Sequence, residues 1–234
     1  MTTLRTPTGS ARPVQVPLDD VALHGDLQSP DNPVGLVIFV HGSGSSRFSP
    51  RNRYVAGELN KHGLATLLLD LLTEEEQKID AETMELRFDI PLLSNRSTLV
   101  ASWASKDPDL RNLPIGLFGA STGAAAALNT AAALKGAIAA VVSRGGRPDL
   151  ADRALAQVKA PTLLIVGGED DTVLDLNRKS LELLRCTKRL HVVPGATHLF
   201  EERGTLEEVA KVAANWFHEH LSAAGVGVKS RLAG

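Results

Sequence analysis

The chain has 234 residues, of which 43% are hydrophobic and 22% charged, and its formal net charge at pH 7 is -2. This length can bury the core of an α/β domain, while the near-neutral charge and the scarcity of aromatic residues argue against a nucleic-acid-binding protein. The single cysteine excludes an internal disulfide and a zinc site built from cysteines, and the lack of a long apolar segment predicts a cytoplasmic protein with no membrane partner.

The first predicted elements are a short polar arm and an antiparallel hairpin. Residues 1–13 read as a flexible arm, and residues 14–16 and 21–27 then alternate apolar and polar side chains around the turn residues Asp19 and Asp20. Alternation with period two is typical of strands that have one buried face. We therefore expect a hairpin at one edge of a sheet.

Apolar strands then alternate with amphipathic helices along most of the remaining chain. Strands are predicted at 35–40, 64–72, 115–118, 136–142, 161–166 and 189–193. The last helix is expected to end near Leu221, and residues 223–234 are expected to form a flexible tail. The alternation predicts one α/β domain over residues 1–234, with a doubly wound, mainly parallel sheet.

One segment, residues 73–91, interrupts this alternation with an acidic run followed by mixed composition. Long connections in compact domains are often functional. Two interpretations stay open: a solvated excursion, or a partial lid over a site.

The most informative motif is Gly119-Ala-Ser121-Thr-Gly123, which joins an apolar strand directly to an alanine-rich helix. Strand, G-x-S-x-G and helix are the context of a nucleophile elbow, in which small residues permit a sharp, strained turn. The alternative is an ordinary strand-to-helix turn with Ser121 as the N-cap. Because the strand and helix abut the motif, we favour Ser121 as a nucleophile.

A serine nucleophile needs a histidine base that is oriented by a carboxylate, in the chain order Ser, acid, His. His198 follows the last predicted strand, whereas the rival histidines lie within a strand, on the last helix or at a helix end. Three acids, Glu169, Asp170 and Asp171, follow the preceding strand. The acid and the base should therefore meet Ser121 at the carboxyl edge of the sheet.

The oxyanion of a tetrahedral intermediate needs two amide donors. One is predicted to be the amide of Thr122, and the other should come from the glycine-rich loop after the strand at 35–40. Ser43 is the first candidate in that loop and Gly44, which is also assigned to substrate binding, the second. A phosphate cradle is the alternative, but the loop lacks a recognised phosphate-binding motif. His41 is expected to hold the loop.

These motifs resemble those of α/β-hydrolases, in particular the dienelactone hydrolase-related branch. The resemblance spans nearly the whole chain and is carried by His-Gly-Ser-Gly-Ser-Ser-Arg (41–47), Gly-Ala-Ser-Thr-Gly (119–123), Val-Gly-Gly-Glu-Asp (166–170) and Pro-Gly-Ala-Thr-His (194–198). In such proteins the acid lies in a Gly-x-x-Asp-x-x-Val pattern, which selects Asp170 and leaves Asp171 as the second choice.

The chain also departs from the pattern of this branch. Dienelactone hydrolases proper have a cysteine at the elbow, so Ser121 favours a general serine esterase. Related sequences occur joined to a phosphoribosyltransferase domain, of which no motif is found in these residues. Many such hydrolases insert a cap after the sixth strand, whereas only a turn and a short helix are predicted here, so no large cap is expected.

Five loop arginines border the predicted site, and we expect Arg144 to bind an anionic part of the substrate. The alternative is that all five are solvated surface residues. The five are Arg47, Arg51, Arg53, Arg144 and Arg147.

The predicted function is hydrolysis of a small-molecule carboxylic ester or lactone through an acyl-enzyme, by a monomer or homodimer. Ser121 attacks, His198 transfers the proton and Asp170 orients His198, with no metal or organic cofactor. Two alternatives stay open: an acyltransferase or perhydrolase on the same triad, and a non-catalytic ligand-binding protein with the same fold.

Overall fold

The computed structural model describes residues 9–232, with only the backbone given for residues 226–232. Within this range the strands are β1 (Arg12–Pro17), β2 (Ala22–Gln28), β3 (Leu36–Val40), β4 (Ala65–Leu69), β5 (Ile115–Ala120), β6 (Ile138–Arg144), β7 (Thr162–Gly167) and β8 (Lys188–Val193). The α-helices are α1 (Pro50–Lys61), α2 (Glu74–Thr83), α3 (Ile90–Ala104), α4 (Gly123–Ala133), α5 (Asp171–Leu183) and α6 (Thr205–Leu232). Two 3₁₀ segments, Leu86–Phe88 and Pro148–Gln157, complete the elements of the described range.

The eight strands form one sheet in the order β1-β2-β4-β3-β5-β6-β7-β8. Strand β2 runs antiparallel to both β1 and β4, and the other neighbouring strands are parallel. This confirms the predicted mainly parallel sheet with an antiparallel N-terminal hairpin. Since parallel strands end at the same edge, the loops after β3, β5, β6, β7 and β8 meet there.

Two apolar layers enclose the sheet, one on each face. In β3, Leu36, Ile38 and Val40 join the layer that contains α3 and α4, whereas Val37 and Phe39 join the layer formed with α1 and α6. Every residue of β3 is buried. The uninterrupted apolar run of β3 therefore follows from burial of both faces, as in other parallel sheets.

The chain differs from the sequence expectations at both ends of the described range. Arg12 and Pro13 belong to β1 instead of a loose arm, and α6 continues through the expected tail to Leu232. Two glycines, Gly225 and Gly227, lie in this part of α6, but a glycine disfavours a helix by only about 1 kcal/mol and does not stop it. Residues 1–8 and 233–234, which were part of the expected tails, lie outside the described residues.

Between β6 and β7 the described chain contains only the 3₁₀ segment Pro148–Gln157, which is broken at Asp152, where φ is +43°. No inserted cap is therefore found in this stretch of the described chain, as expected.

Residues 73–91 are more regular than the sequence suggested. Thr73 and Glu76 form a reciprocal capping box at the start of α2, and Met84 ends the helix in a left-handed conformation. A capping box satisfies two backbone donors at the helix start, which explains how an acidic run with little buried apolar surface forms a helix.

Ion pairs anchor this segment to the rest of the domain. The buried guanidinium of Arg96 donates to both carboxylate oxygens of Glu76 at 2.5 and 2.6 Å and to the carbonyl of Leu71 at 2.7 Å. The hydrogen bonds from Arg96 hold the pKa of Glu76 below its ordinary value. The side chain of Arg87 donates from Nε to Asp80 at 2.7 Å, which closes the segment on itself.

Candidate active site

Ser121 lies at the sharp turn between β5 and α4, as the sequence predicts. Its φ angle is +49°, in the left-handed region that residues other than glycine rarely adopt. The Ser121 amide donates to the carbonyl of Arg144 at 3.2 Å, and the Ser121 carbonyl accepts from the amides of Ala124 at 3.1 Å and Arg147 at 3.0 Å. These bonds hold the strained backbone, so the turn has the conformation of a nucleophile elbow.

Crowding around the turn explains why glycines stand two residues before and two after Ser121. A Cβ atom on Gly119 would lie 2.5 Å from the Cα of Ala124, and one on Gly123 would lie 2.2 Å from the carbonyl oxygen of Val40. Both clashes are with backbone atoms, which could move only by displacing α4 or β3. The glycines therefore allow the start of α4 to pack directly against the end of β3.

His198 and Asp170 are joined by a short hydrogen bond. Nδ1 of His198 lies 2.6 Å from Oδ2 of Asp170. The side chain of His198 is 39% exposed and that of Asp170 15%, so the pair sits at the wall of the site with the carboxylate on the inner side. With its Nδ1 proton donated to the carboxylate, a neutral His198 presents an unprotonated Nε2 as a base.

The structure separates the candidate acids. Asp170 is the residue before α5, yet its side chain makes no capping hydrogen bond to that helix. Glu169 and Asp171 are both exposed, and Asp171 lies in the first turn of α5. Within the described chain, Asp170 alone of the three makes a hydrogen bond with His198.

Ser121 and His198 line one cavity of about 250 Å³. Among the described residues, no hydrogen bond connects Ser121 Oγ with the imidazole of His198. Such contacts are often long before a substrate binds and tighten in the reactive complex. The geometry thus brings Ser121 and His198 to one cavity without joining them.

Gly145 is part of this site, although sequence reasoning did not single it out. Its φ angle is +49°, and a Cβ atom there would lie 3.2 Å from the carbonyl oxygen of His198 and 3.6 Å from its Nδ1. A side chain at this position would be strained and would crowd the carbonyl oxygen of His198. The sequence feature that could have indicated this position is the Gly145-Gly146 pair directly after β6.

His41 fixes the start of the loop after β3. The amide of Leu71 donates to its Nε2 at 3.0 Å, so the ring proton is on Nδ1, which lies 2.9 Å from the carbonyl oxygen of Gly42. Burial lowers the pKa of His41, which favours this neutral form. Its two ring nitrogens are thus occupied by the backbone, in keeping with the expected structural role.

A buried carboxylate that sequence reasoning missed anchors the other end of this loop. Asp70, at the end of β4, accepts from the amide of Arg47 at 2.7 Å and forms an ion pair with the guanidinium of Arg47. Asp26 on β2 is 3.2 Å from Arg53. The loop is therefore tied to the strands on which it rests, and these two arginines are paired with carboxylates.

Ser43 and Thr122, the two predicted oxyanion donors, are in direct contact. The Ser43 amide donates to Oγ1 of Thr122 at 2.9 Å. Thr122 is 6% exposed, and its own amide stands at the start of α4, where backbone N–H groups have no partner within the helix. The structure therefore brings both groups beside Ser121, with the Ser43 amide engaged by the hydroxyl of Thr122.

Gly44 borders a second cavity instead of the one over Ser121. This cavity, of about 220 Å³, lies between the loop after β3 and the α2 segment. Gly44 adopts φ +67°, and a Cβ there would lie 3.4 Å from Nη1 of Arg87. The two cavities share Gly42, Ser43 and Ser45 in their walls.

Two arginines without full pairing line the cavity over Ser121. Nη1 of Arg144 and Nε of Arg51 are buried and find no hydrogen-bond partner among the described residues, where Arg51 forms an ion pair with Glu201 at 2.9 Å. Burial, together with the nearby charge of Arg51, lowers the pKa of Arg144 to about 10. Unlike Arg47, Arg53 and Arg147, Arg144 faces no carboxylate partner in the described chain.

Within residues 9–232, no group of three or more His, Cys, Asp or Glu side chains is arranged to hold a metal ion. None of the helices in the described range is both long and apolar enough to cross a membrane.

Comparison with known proteins yields relatives over most of the chain. A dienelactone hydrolase from Anabaena variabilis ATCC 29413 is 53% identical, with a TM-score of 0.90 over 91% of this chain and 98% of that one. Est1E from Butyrivibrio proteoclasticus shares the fold at 16% identity, with a TM-score of 0.73 over 90% of this chain and 99% of Est1E.

Two curated relatives from Mycobacterium tuberculosis carry the provisional name phosphoribosyl transferase and are each 55% identical over 212 residues. These residues are 91% of this chain but 47% of each relative, so the chain spans about half the length of those proteins. The sequence profile of the dienelactone hydrolase family matches residues 23–223. The chain, with its α/β-hydrolase fold, therefore belongs to the dienelactone hydrolase family.

Proposed function

We propose that the chain is a serine hydrolase that cleaves small carboxylic esters or lactones through an acyl-enzyme. The observation that carries the proposal is the Asp170–His198 hydrogen bond of 2.6 Å, beside the strained turn that presents Ser121. Membership of the dienelactone hydrolase family, and the 53% identity to the dienelactone hydrolase from Anabaena variabilis, support hydrolase chemistry at this site.

In the acylation step, Nε2 of His198 removes the proton of Ser121 as Oγ attacks the substrate carbonyl. Asp170 keeps the Nδ1 proton in place and stabilises the imidazolium that forms. His198 then donates its proton to the leaving alcohol, or to the ring oxygen of a lactone. A water molecule deprotonated by His198 hydrolyses the acyl-enzyme and restores Ser121.

The negative oxygen of each tetrahedral intermediate lies at the start of α4. Its donors are the Thr122 amide, which also has the positive end of the helix dipole behind it, and a second group at the contact between Ser43 and Thr122. The bonds of His41 and Asp70 hold that loop in position before the reaction. Preorganised donors of this kind stabilise the intermediate without having to reorient.

A fluorophosphonate probe tests this proposal directly, because it forms an adduct only with an activated serine. We expect stoichiometric labelling of the peptide that contains Ser121, together with loss of p-nitrophenyl ester hydrolysis. A protein that remains unlabelled would be a binding protein on the same fold. Faster turnover in added alcohol, with ester as the product, would indicate an acyltransferase.

We further assign Arg144, together with Arg51, to an anionic part of the substrate. Each lines the cavity that contains Ser121 and has a buried nitrogen to which no described residue is hydrogen-bonded. Buried charges are ordinarily paired, and two guanidinium groups that converge on one cavity disfavour each other. A carboxylate on the substrate would satisfy both, and the second cavity beside Gly44 offers room for the other half of the substrate.

Replacing Arg144 with glutamine should reduce discrimination between charged and neutral esters. Because a hydrogen bond to a charged group contributes about 1.5–3 kcal/mol, we expect kcat/KM for mono-p-nitrophenyl glutarate to fall roughly 10- to 100-fold. The value for p-nitrophenyl butyrate should change much less. Arg147→Gln is the matched control, since its side chain pairs with Asp149 at 2.8 Å. An equal fall in kcat/KM for both esters would contradict the assignment of Arg144 to an anionic group of the substrate.

A further inference from the structure

The hydrogen bond between Ser43 and Thr122 raises a problem for the oxyanion site. The Ser43 amide is the donor expected from the loop after β3, but its hydrogen points at Oγ1 of Thr122, 2.9 Å away. An oxyanion donor must lie within about 2.7–3.1 Å of the developing charge and aim at it. The hydroxyl of Thr122 therefore occupies the position in which an oxyanion would have to lie to accept from the Ser43 amide.

The side chain of Thr122 has little freedom to move aside. It is 6% exposed, at the residue between Ser121 and the first residue of α4. A β-branched side chain is restricted at χ1, and a buried one must also displace its neighbours to change rotamer. The hydroxyl therefore stays at the position toward which the Ser43 amide points.

The hydroxyl of Thr122 also has a hydrogen to donate. Its oxygen accepts from Ser43, and across the described residues no hydrogen bond uses it as a donor. A hydroxyl carries one donor and two acceptor sites, and its hydrogen rotates to suit. Accepting from an amide polarises the O–H group and strengthens the bond that it donates.

We infer that the side-chain hydroxyl of Thr122 is a catalytic donor to the oxyanion. The Ser43 amide donates to Thr122 Oγ1, and Thr122 Oγ1–H donates to the negative oxygen, alongside the Thr122 amide. Thr122 thus supplies two donors, and Ser43 acts through it. No proton is transferred, because the hydroxyl keeps its hydrogen throughout. This inference rests on the proposed serine hydrolase function.

The test is a set of substitutions at Thr122, assayed with p-nitrophenyl butyrate. Thr122→Val keeps the shape and removes the hydroxyl, so kcat should fall roughly 10²- to 10³-fold with KM changed less than about threefold. Thr122→Ser restores the hydroxyl and should recover most of that loss. Thr122→Ala, which adds no bulk, replaces the valine variant if that protein does not fold.

Two readouts distinguish the outcomes. A trifluoromethyl ketone, which forms a tetrahedral adduct with the serine, should bind the valine variant more weakly by the same factor as kcat/KM falls. An unchanged or higher kcat in Thr122→Val would overturn the inference, because the freed Ser43 amide would then be the donor. Fluorophosphonate labelling of Ser121 in that variant would support the hydrolase function independently of the role of Thr122. A wild-type protein that is not labelled would contradict both the hydrolase function and this inference.

Discussion

Replacing Ser121 with alanine is expected to lower kcat for a short p-nitrophenyl ester by roughly 10⁴- to 10⁶-fold. The substitution removes the oxygen that forms the acyl-enzyme, while the oxyanion donors and the cavity remain. The residual rate should therefore exceed that of the buffer but show no burst of p-nitrophenol. Stopped-flow absorbance, with active-site titration of the wild type, measures both quantities.

The matched control is Ser45→Ala, because Ser45 lines the same cavity without standing on the elbow. Its kcat should stay within a few-fold of the wild type. Far-UV circular dichroism of both variants checks that the fold is kept, and the Ser121 variant should also lose fluorophosphonate labelling. Hydrolysis by Ser121→Ala at a rate near the wild type would assign the nucleophile to another residue.

Much of the fold could be predicted because the burial of each strand is visible in its sequence. Leu36–Val40 is apolar at every position, as a strand covered on both faces must be, and the hairpin before it alternates as a half-buried edge does. Parallel strands place their carboxyl ends at one edge. The convergence of Ser121, Asp170 and His198 could therefore be predicted from the positions of β5, β7 and β8 alone.

Contacts that depend on side-chain direction could not be predicted in this way. The Ser43–Thr122 hydrogen bond joins residues 79 apart in the chain, and the Arg47–Asp70 bonds join residues 23 apart. Nothing in the local pattern states where a threonine hydroxyl points or which arginine meets a carboxylate. The five loop arginines looked alike in the sequence, and only their partners in the fold separate Arg144 from the rest.

The turn at Ser121 and the two cavity arginines, Arg144 and Arg51, have one property in common. Both arrangements are energetically unfavourable in the protein without substrate. Ser121 is held in a left-handed conformation, and Arg144 has a buried nitrogen that meets no acceptor in the described part of the chain. Strain and unpaired polar groups persist at functional sites because the surrounding structure fixes them. Their occurrence in one cavity favours the carboxyl edge of the sheet as the place where the molecule does its chemistry.

The substitution Asp170→Asn should lower kcat by about 10⁴-fold, because an amide cannot hold His198 in the required tautomer. The carboxylate of Asp170 accepts the Nδ1 hydrogen at 2.6 Å, which leaves Nε2 free to take the proton of Ser121. The amide nitrogen of an asparagine can instead donate to Nδ1, and the ring proton then moves to Nε2, facing the serine. Steady-state kinetics at neutral pH with a p-nitrophenyl ester measures the loss.

The free energy of unfolding of Asp170→Asn should change little, although its activity falls. Asp170 stands at the N-cap position of α5 but gives the helix no side-chain hydrogen bond, since its carboxylate is directed to His198. Asparagine is also a favourable N-cap, so we expect the free energy of unfolding to change by less than about 1 kcal/mol. Asp171→Asn is the matched control: its exposed carboxylate favours the helix N-terminus by about 0.3–1 kcal/mol and should leave kcat within a few-fold. If Asp171→Asn lost activity and Asp170→Asn kept it, the orienting acid would be the neighbouring residue.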